Sequence, residues 1–457
     1  MTPDELFVVR QRLEAFAADV FTPLVRSDQR VKGGAYLRGL LLDGRRKSMQ
    51  PIADRLGVDH QGLQQFVTTS TWDTTAVRMR LAVRAVDVVG PVAWVVDDTG
   101  FPKDGKGSPG VARQYSGTLG KVANCQIGVS VHAVTDTASC SLDWRLFLPT
   151  SWDDHAVDEA DRPEVAARRG RCGIPDQERH RPKWSLVVEM LDELADHGLR
   201  PPLLAADAGY GDNSQFRSAL DERGIDYMMQ VKGDALAHKP GVQPVQRVWS
   251  GRGRPPTRTD PRYPKTAVSL VEHVRAAGRG TAETITWREG SKGTMSSQFV
   301  FLRVRPAGHR VARDPDGLLP ERWLIAQWPD DQPEPVKYWL SSLPAATGHA
   351  DLVRYGKIRW RIEHDYRELK TGLGLDHFEG RSFTGWHRHV TLVTAPRTCS
   401  SRNCVWTQKR LRRPDPLQGH PRVATTPRDL DRRLHHLPPT RETATPQQTP
   451  QNLTKHY

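Results

Sequence analysis

The first ninety residues have the apolar spacing of helices. Within Glu5–Phe16 the apolar residues recur at intervals of three and four, which predicts an amphipathic helix. Two shorter helical patterns follow at Ser48–Leu56 and His60–Thr69, joined by a turn at Gly57–Asp59. The pair resembles a helix-turn-helix, although an ordinary αα-hairpin has the same pattern. We therefore predict a helical, DNA-binding N-terminal domain over residues 1–90.

After residue 90 the pattern changes to short apolar runs that are typical of buried strands. Val92–Asp98 ends in two acids, and Leu203–Asp207 ends in another. Two further strands are predicted at Cys125–Asp136 and Ala138–Pro149. With two intervening helices and a strand near residue 230, the predicted order is β-β-β-α-β-α-β. Residues 91–232 are therefore predicted to form an α/β core that carries acids at strand ends.

The next segment, residues 233–345, is predicted to be a β-rich insertion. Strand patterns are present at Glu283–Trp287, Gln298–Val304 and Trp323–Trp328, after a stretch rich in glycine, proline and arginine. Helical periodicity then returns, so residues 346–395 are predicted to complete the core.

The distribution of charge shows that the last sixty or so residues differ from the rest of the chain. The formal net charge is +13, which favours a polyanionic partner, and nucleic acid is the usual one for a basic protein. Residues 396–457 contain 12 Lys/Arg and 4 Asp/Glu, so +8 of that charge belongs to them and +5 to the remainder. This segment is also rich in proline and poor in large apolar residues. It is predicted to be a disordered basic tail or a frameshifted end.

The composition also excludes some classes of protein. No apolar run approaches the roughly 18 residues that a membrane span needs, and the N-terminus has no signal-peptide pattern. We expect a cytoplasmic protein with no membrane partner. The five cysteines form no CxxC pair, which supports neither a disulfide framework nor a zinc site.

The late helical segment carries a distinctive charge pattern. Arg359, Glu363 and Lys370 are spaced at i, i+4 and i+11, so they fall on one stripe of a helix. A carboxylate between two cations can hold a metal ion while the cations meet phosphate oxygens. A solvated face of ion pairs is the commoner explanation of this spacing taken alone.

Three acids on defined elements point to metal-assisted chemistry. Asp98 and Asp207 end predicted strands, and Glu363 lies on the late helix. Carboxylates from such elements can converge on two divalent cations about 3.5–4 Å apart, which promote phosphoryl transfer. Mg²⁺, or Mn²⁺, suits a site made only of oxygen ligands. We therefore predict two such ions bound by these three acids.

At these residues the sequence resembles the DDE transposases of bacterial insertion sequences. Arg359, Glu363 and Lys370 match the last three members of the family's Y-(2)-R-(3)-E-(6)-K signature, whereas Tyr355 lies one residue early. The segments that look like blocks of an actinobacterial-type branch are Asp98–Lys103, Arg113–Lys121, Ala206–Tyr210, Tyr338–Pro344 and Gly374–Ser382. The resemblance covers roughly residues 1–393 and does not reach the tail.

The resemblance implies a fold and a set of roles. It implies a ribonuclease-H-like mixed sheet core, interrupted by the β-rich insertion. Asp98 is preferred to Asp97 as the first catalytic acid because it precedes Thr99, as the family's first Asp precedes Thr or Ser. Arg359 and Lys370, with Tyr355, are expected to contact DNA near the scissile phosphate.

Other basic residues are expected to contact DNA from outside this signature. The run Arg45, Arg46 and Lys47 leads the helical pair. Arg113 and Lys121 flank a polar, glycine-containing loop, although a plain β-hairpin loop explains these two almost as well.

The implied activity is that of a synaptic homodimer on double-stranded DNA. It binds terminal inverted repeats, nicks the ends by metal-assisted hydrolysis and joins the 3′-hydroxyl to target DNA. One alternative is a catalytically impaired relic that only binds DNA. Another is an aspartate-nucleophile phosphohydrolase, suggested by Val95–Gly100, although Thr99 stands where that class usually has a second acid.

Overall fold

The fold is taken from a computed structural model that describes part of the chain. The described residues are 3–42, 44–117, 120–246, 251, 261–290, 293–308 and 311–398. Most of the predicted tail, residues 399–457, lies outside them.

Helices cover both ends of the described chain. The thirteen α-helices of the described residues are α1 (Pro3–Val20), α2 (Ser27–Leu41), α3 (Met49–Leu56), α4 (His60–Thr68), α5 (Thr74–Val89), α6 (Arg162–Cys172), α7 (Lys183–Asp196), α8 (Ala208–Gly211), α9 (Ser214–Glu222), α10 (Leu270–Ala277), α11 (His349–Lys357), α12 (Trp360–Leu373) and α13 (Phe383–Thr398). No helix in this described part is both long and apolar enough to cross a membrane.

Strands occupy the middle of the chain. The twelve β-strands of the described residues are β1 (Ala93–Pro102), β2 (Ala112–Ser116), β3 (Lys121–Val134), β4 (Ser139–Phe147), β5 (Leu204–Ala206), β6 (Tyr227–Val231), β7 (Leu236–His238), β8 (Val268–Ser269), β9 (Glu283–Gly290), β10 (Gly293–Pro306), β11 (Arg322–Gln327) and β12 (Lys337–Ser341). The strands predicted from the apolar pattern are present, and β2, β7, β8 and β12 are additional. The predicted end of the first strand at Asp98 is wrong, because β1 continues to Pro102 and both of its acids lie within the strand.

These strands form one large mixed sheet in the order β2-β3-β1-β5-β6-β12-β11-β10-β7-β8. Strand β1 pairs in parallel with β5, and β5 with β6, whereas β1 and β3 are antiparallel. β4 adds to β3, and β9 adds to β10. The α/β class is therefore confirmed, with a sheet that combines parallel and antiparallel neighbours.

The β-rich segment extends this sheet. Strand β12 pairs antiparallel with β6, and β11 and β10 continue outward from it. Without β12, the outer side of β6 would present unpaired backbone groups, which a protein normally covers. The strands predicted between residues 233 and 345 are present, but they lengthen the core sheet.

Apolar side chains cover the two faces of the sheet at β1. Val95 and Phe101 belong to one buried cluster, which includes Ile362 and Leu369 of α12. Trp94 and Val96 belong to a second cluster with residues of α7. Successive strand residues point to opposite faces, so the side chain at 97 faces the α12 layer and the side chain at 98 faces the α7 layer.

The N-terminal helices confirm the predicted pair. Helices α3 and α4 are joined by Gly57, whose φ of 65° is a left-handed conformation that glycine adopts without strain. Asp59 caps α4 by accepting hydrogen bonds from the backbone N–H groups of Gln61 and Gly62. The predicted turn at Gly57–Asp59 is therefore present, and Asp59 additionally caps the second helix.

Helix α13 joins the N-terminal helices to the core. Its Arg388 donates to the carbonyls of Val67 and Trp72. His389 Nε2 lies 3.1 Å from the carbonyl oxygens of Gly374 and Leu375, so it carries the proton, and Nδ1 accepts from the Tyr36 hydroxyl at 2.9 Å. Burial lowers the pKa of His389 to about 4, so this link is made by a neutral ring.

The late helical segment differs from the expected single helix. It contains α11 and α12, and Arg359 lies just before the first residue of α12. Helix α13 also continues through Thr398, so the packed core reaches beyond residue 395.

Candidate active site

Two acids lie side by side where β1 and β5 meet α8. Val96 is opposite Ala206 in this parallel pair, so the next residues are Asp97 and Asp207. Paired residues of neighbouring strands project to the same face. Asp207 also caps α8 by accepting a 2.9 Å hydrogen bond from the Gly209 N–H.

One arginine connects this pair of strands to α12. Arg359 Nη1 donates to Asp97 Oδ2 at 2.8 Å, and Arg359 Nη2 lies 2.9 Å from Glu363 Oε1. The Asp97 side chain is 15% exposed and that of Glu363 is 57% exposed. The guanidinium of Arg359 thus holds both Asp97 of β1 and Glu363 of α12 near the protein surface.

The positive charge of Arg359 does not fully balance the negative charge of the acids around it. Burial raises the pKa of Asp97 to about 7, Arg359 opposes this shift, and the nearby Asp207 and Asp98 add to it. A divalent cation would relieve this repulsion. The donors are carboxylate oxygens, which suit Mg²⁺ or Mn²⁺.

Asp98, the acid preferred from the sequence, faces the other side of the sheet. Its Oδ2 accepts a 2.7 Å hydrogen bond from Lys183 Nζ at the start of α7. The geometry therefore favours Asp97 as the partner of Arg359 and Glu363. The motif alignment could not detect this, since it gives the neighbouring threonine but not the face on which each acid lies.

Lys370 lies on the same side of α12 as predicted, but its ammonium is turned toward β1. Nζ donates to the Gly100 carbonyl at 2.6 Å and lies 5.5 Å from the centre of the Phe101 ring. Burial lowers the pKa of Lys370 to about 8. The cation is therefore close to the acidic strand and partly withdrawn from solvent.

The family of the chain follows from comparison with known proteins. A family model described as DDE superfamily endonuclease matches residues 19–294. The chain belongs to the DDE superfamily endonucleases. The matched region contains Asp97, Asp98 and Asp207 and ends before α12.

A curated relative supports the same family. The chain is 31% identical over 231 residues to a protein named probable transposase for insertion sequence element IS701 from Microchaete diplosiphon. The match covers 50% of this chain and 54% of the relative. The chain thus spans about half the length of the curated relative it matches.

In this member of the family, Tyr355 is separated from α12, the helix that carries the other signature residues. It lies on α11, where the Arg354 guanidinium is 5.9 Å from its ring centre. The break between α11 and α12 means that sequence spacing does not place Tyr355 on the stripe of Arg359 and Glu363.

The basic residues predicted outside α12 differ in accessibility. Arg113 on β2 and Lys121 on β3 are exposed in an antiparallel hairpin at the edge of the sheet. Arg45 and Arg46 are exposed between α2 and α3. These four remain able to meet an anion outside the protein.

Lys47 is buried, which the basic run Arg45-Arg46-Lys47 did not indicate. Its ammonium donates to the Leu42 carbonyl, and its backbone N–H donates to His377 Nδ1 at 3.0 Å. Gly374 packs so close that an added Cβ would lie 2.5 Å from Lys47 Cβ. The geometry therefore does not favour a contact between Lys47 and DNA.

Sequence reasoning missed a buried polar network behind α12. Asp365 Oδ1 accepts from Ser139 Oγ at 2.6 Å and from Arg397 Nη2 at 2.7 Å, and Asp365 Oδ2 lies 2.9 Å from His132 Nδ1. Burial raises the pKa of Asp365, but Arg397, His132 and Ser139 outweigh it and hold that pKa well below its usual range. No local pattern could have revealed this network, because His132 and Ser139 are more than 200 residues from Asp365 in sequence.

The same region contains a group of potential metal ligands. His364, Asp365 and Glu368 offer atoms within 4.8 Å of one another. Glu368 is buried and bonded to Arg397. Because Arg397 already neutralises both carboxylates, the chemistry of this group favours a structural role.

Proposed function

We propose that the protein is a DNA transposase that nicks the ends of a mobile element and joins the freed 3′-hydroxyl to target DNA. The observation that carries the proposal is the bridge from Asp97 through Arg359 to Glu363 in a chain of the DDE endonuclease family. The name of the curated relative and the net charge of +13 support a DNA substrate.

Asp97, Asp207 and Glu363 would hold the divalent cations, which we take to be two Mg²⁺ or Mn²⁺ ions. When bound, such ions promote attack of water or a 3′-hydroxyl on a phosphate and stabilise the leaving oxygen. The protein supplies one carboxylate within β1, a second directly after β5 and a third on α12. Asp98, paired with Lys183, would support β1 from the opposite face.

The cations of α12 would position the DNA backbone. Arg359 offers a planar pair of donors that suits a phosphate, and it stands beside the acids where the scissile group must lie. Lys370 adds positive charge near Gly100. These two residues and Glu363 support membership of the Y-R-E-K group. Tyr355 would supply the tyrosine of this signature from α11.

More distant contacts would hold the element ends. Helices α3 and α4, with the exposed Arg45 and Arg46, are proposed to bind the terminal inverted repeats, and Arg113 and Lys121 to meet flanking phosphates. Two copies of the chain would act together in a synaptic complex, because a mobile element has two ends.

The proposal is tested by cleavage of labelled element ends with Mg²⁺. Glu363→Gln and Asp207→Asn each remove one ligand charge and preserve shape, so cleavage should fall by at least about 100-fold while end binding stays within a few-fold. Normal cleavage by both variants would contradict the assignment. End binding without cleavage by the unaltered protein would favour the DNA-binding relic.

A further inference from the structure

Arg359 occupies the oxygen atoms that a metal ion would need. Its two terminal nitrogens contact Asp97 Oδ2 at 2.8 Å and Glu363 Oε1 at 2.9 Å. The other Asp97 oxygen, Oδ1, accepts from the Asp98 N–H at 2.8 Å. Both oxygens of Asp97 therefore accept a hydrogen bond. A cation that binds this carboxylate must share it with the positive charge of Arg359, and the two cations repel each other.

The two bonds of Asp97 differ in how easily they can be released. The Asp98 N–H belongs to the backbone of β1, which is paired on both sides by β3 and β5. The Arg359 side chain is 28% exposed and stands at the junction of α11 and α12. The guanidinium can turn outward by side-chain rotation alone, so it is the partner that leaves.

A phosphate is the chemical group best suited to draw this guanidinium outward. Arginine can bind a single phosphate through two parallel hydrogen bonds, whereas here it makes one contact with each of two carboxylates. The phosphate thus replaces the two bonds that are lost, and a divalent cation replaces the charge beside Asp97 and Glu363. Each binding event lowers the cost of the other.

We propose that Arg359 is an exchangeable counter-ion that couples metal binding to DNA binding. In the free protein it neutralises Asp97 and Glu363 and opposes entry of the cation. On DNA it moves to a backbone phosphate and leaves the carboxylate oxygens to the metal. The inference rests on the proposed function, because it requires a phosphate substrate at this site. Coupling is reciprocal, so DNA strengthens metal binding by the same factor as metal strengthens DNA binding.

The test measures Mn²⁺ binding with and without DNA. Electron paramagnetic resonance detects the free ion. The DNA is a pre-cleaved element end that carries a 3′-deoxy terminus, so that no reaction takes place. For the unaltered protein, DNA should tighten Mn²⁺ binding by about 5-fold or more. Arg359→Gln should bind Mn²⁺ at least about 5-fold more tightly without DNA, and DNA should add little further.

Two other variants sharpen the comparison. Arg359→Lys keeps the charge but cannot span both acids, so its Mn²⁺ affinity without DNA should lie between those of Arg359→Gln and the unaltered protein. Arg354→Gln is the matched control, since it removes the same charge from an arginine paired with Asp136. It should behave as the unaltered protein does.

The exchange would be overturned if Arg359→Gln, without DNA, bound Mn²⁺ no more tightly than the unaltered protein. It would also be overturned if DNA tightened Mn²⁺ binding by the same factor in this variant as in the unaltered protein. Asp97→Asn and Glu363→Gln separate this failure from failure of the site. If both bind Mn²⁺ as tightly as the unaltered protein, the ions lie elsewhere, and the metal site and the exchange fall together. If both lose Mn²⁺ and Arg359→Gln gains nothing, only the exchange is wrong.

Discussion

At the scale of single residues, Asp97 is the side chain on which the site depends. It lies within β1 beside Asp207, the residue that follows β5, and Arg359 links it to Glu363. A buried carboxylate with acidic neighbours costs free energy whenever it is ionised. Such a cost is tolerated at a site that a cation completes.

This cost predicts how stability depends on pH. Burial raises the pKa of Asp97 from 3.8 to about 7 in the folded protein, so the fold loses stability as pH rises from about 4 through 7. Asp97→Asn removes the ionisation. With EDTA present, it should stabilise the protein at pH 8 by roughly 1–3 kcal/mol and by much less at pH 4.

Urea unfolding at the two pH values measures this difference. The size of the stabilisation depends on pH only if ionisation of the Asp97 carboxyl is responsible, since a change in packing would appear at both pH values. Equal effects at pH 4 and pH 8, or destabilisation at pH 8, would contradict the placement of Asp97 in a buried acidic cluster.

At the scale of elements, α12 is held from behind by the end of α13. Arg397 bonds Asp365 and Glu368, and Asp365 also bonds His132 and Ser139 of the sheet. These acids lie on the side of α12 opposite Glu363. The network therefore sets the rotation of the helix that presents Glu363, the proposed third catalytic acid.

Removal of Arg397 should be costly, because it leaves two buried carboxylates without their cation. Arg397→Ala is expected to destabilise the protein by about 3–5 kcal/mol in urea unfolding at pH 7. Arg354→Ala, which breaks the more exposed pair with Asp136, should cost less than about 1 kcal/mol. A similar small cost for both would show that α13 does not pack through residue 397.

Many of the helices and strands could be predicted from the sequence. The first half of β1, which leads to Asp97, and β5, which precedes Asp207, were visible as apolar runs, because strands buried on both faces are continuous stretches of apolar residues. The break before Arg359 was not visible, since apolar spacing continues across it. Lys47 was also misjudged, because a basic run does not reveal that one member packs against Gly374.

At the scale of the whole molecule, the sheet brings distant segments together. Residues 93–102, 204–206 and 360–373 meet because β1 and β5 are parallel neighbours and α12 packs on one face of them. The sequence gives the three acids but not which face of β1 meets α12. That choice depends on the register and layering of the complete fold, and it separates Asp97 from Asp98.

The most direct test of the account is therefore the cleavage rate of Asp97→Asn against that of Asp98→Asn. Both changes remove one charge from adjacent residues of the same strand. With Mg²⁺ and labelled element ends, Asp97→Asn should cleave at least about 100-fold more slowly, and Asp98→Asn should stay within about 10-fold of the unaltered protein. The reverse order would contradict the geometry and return the first catalytic acid to Asp98.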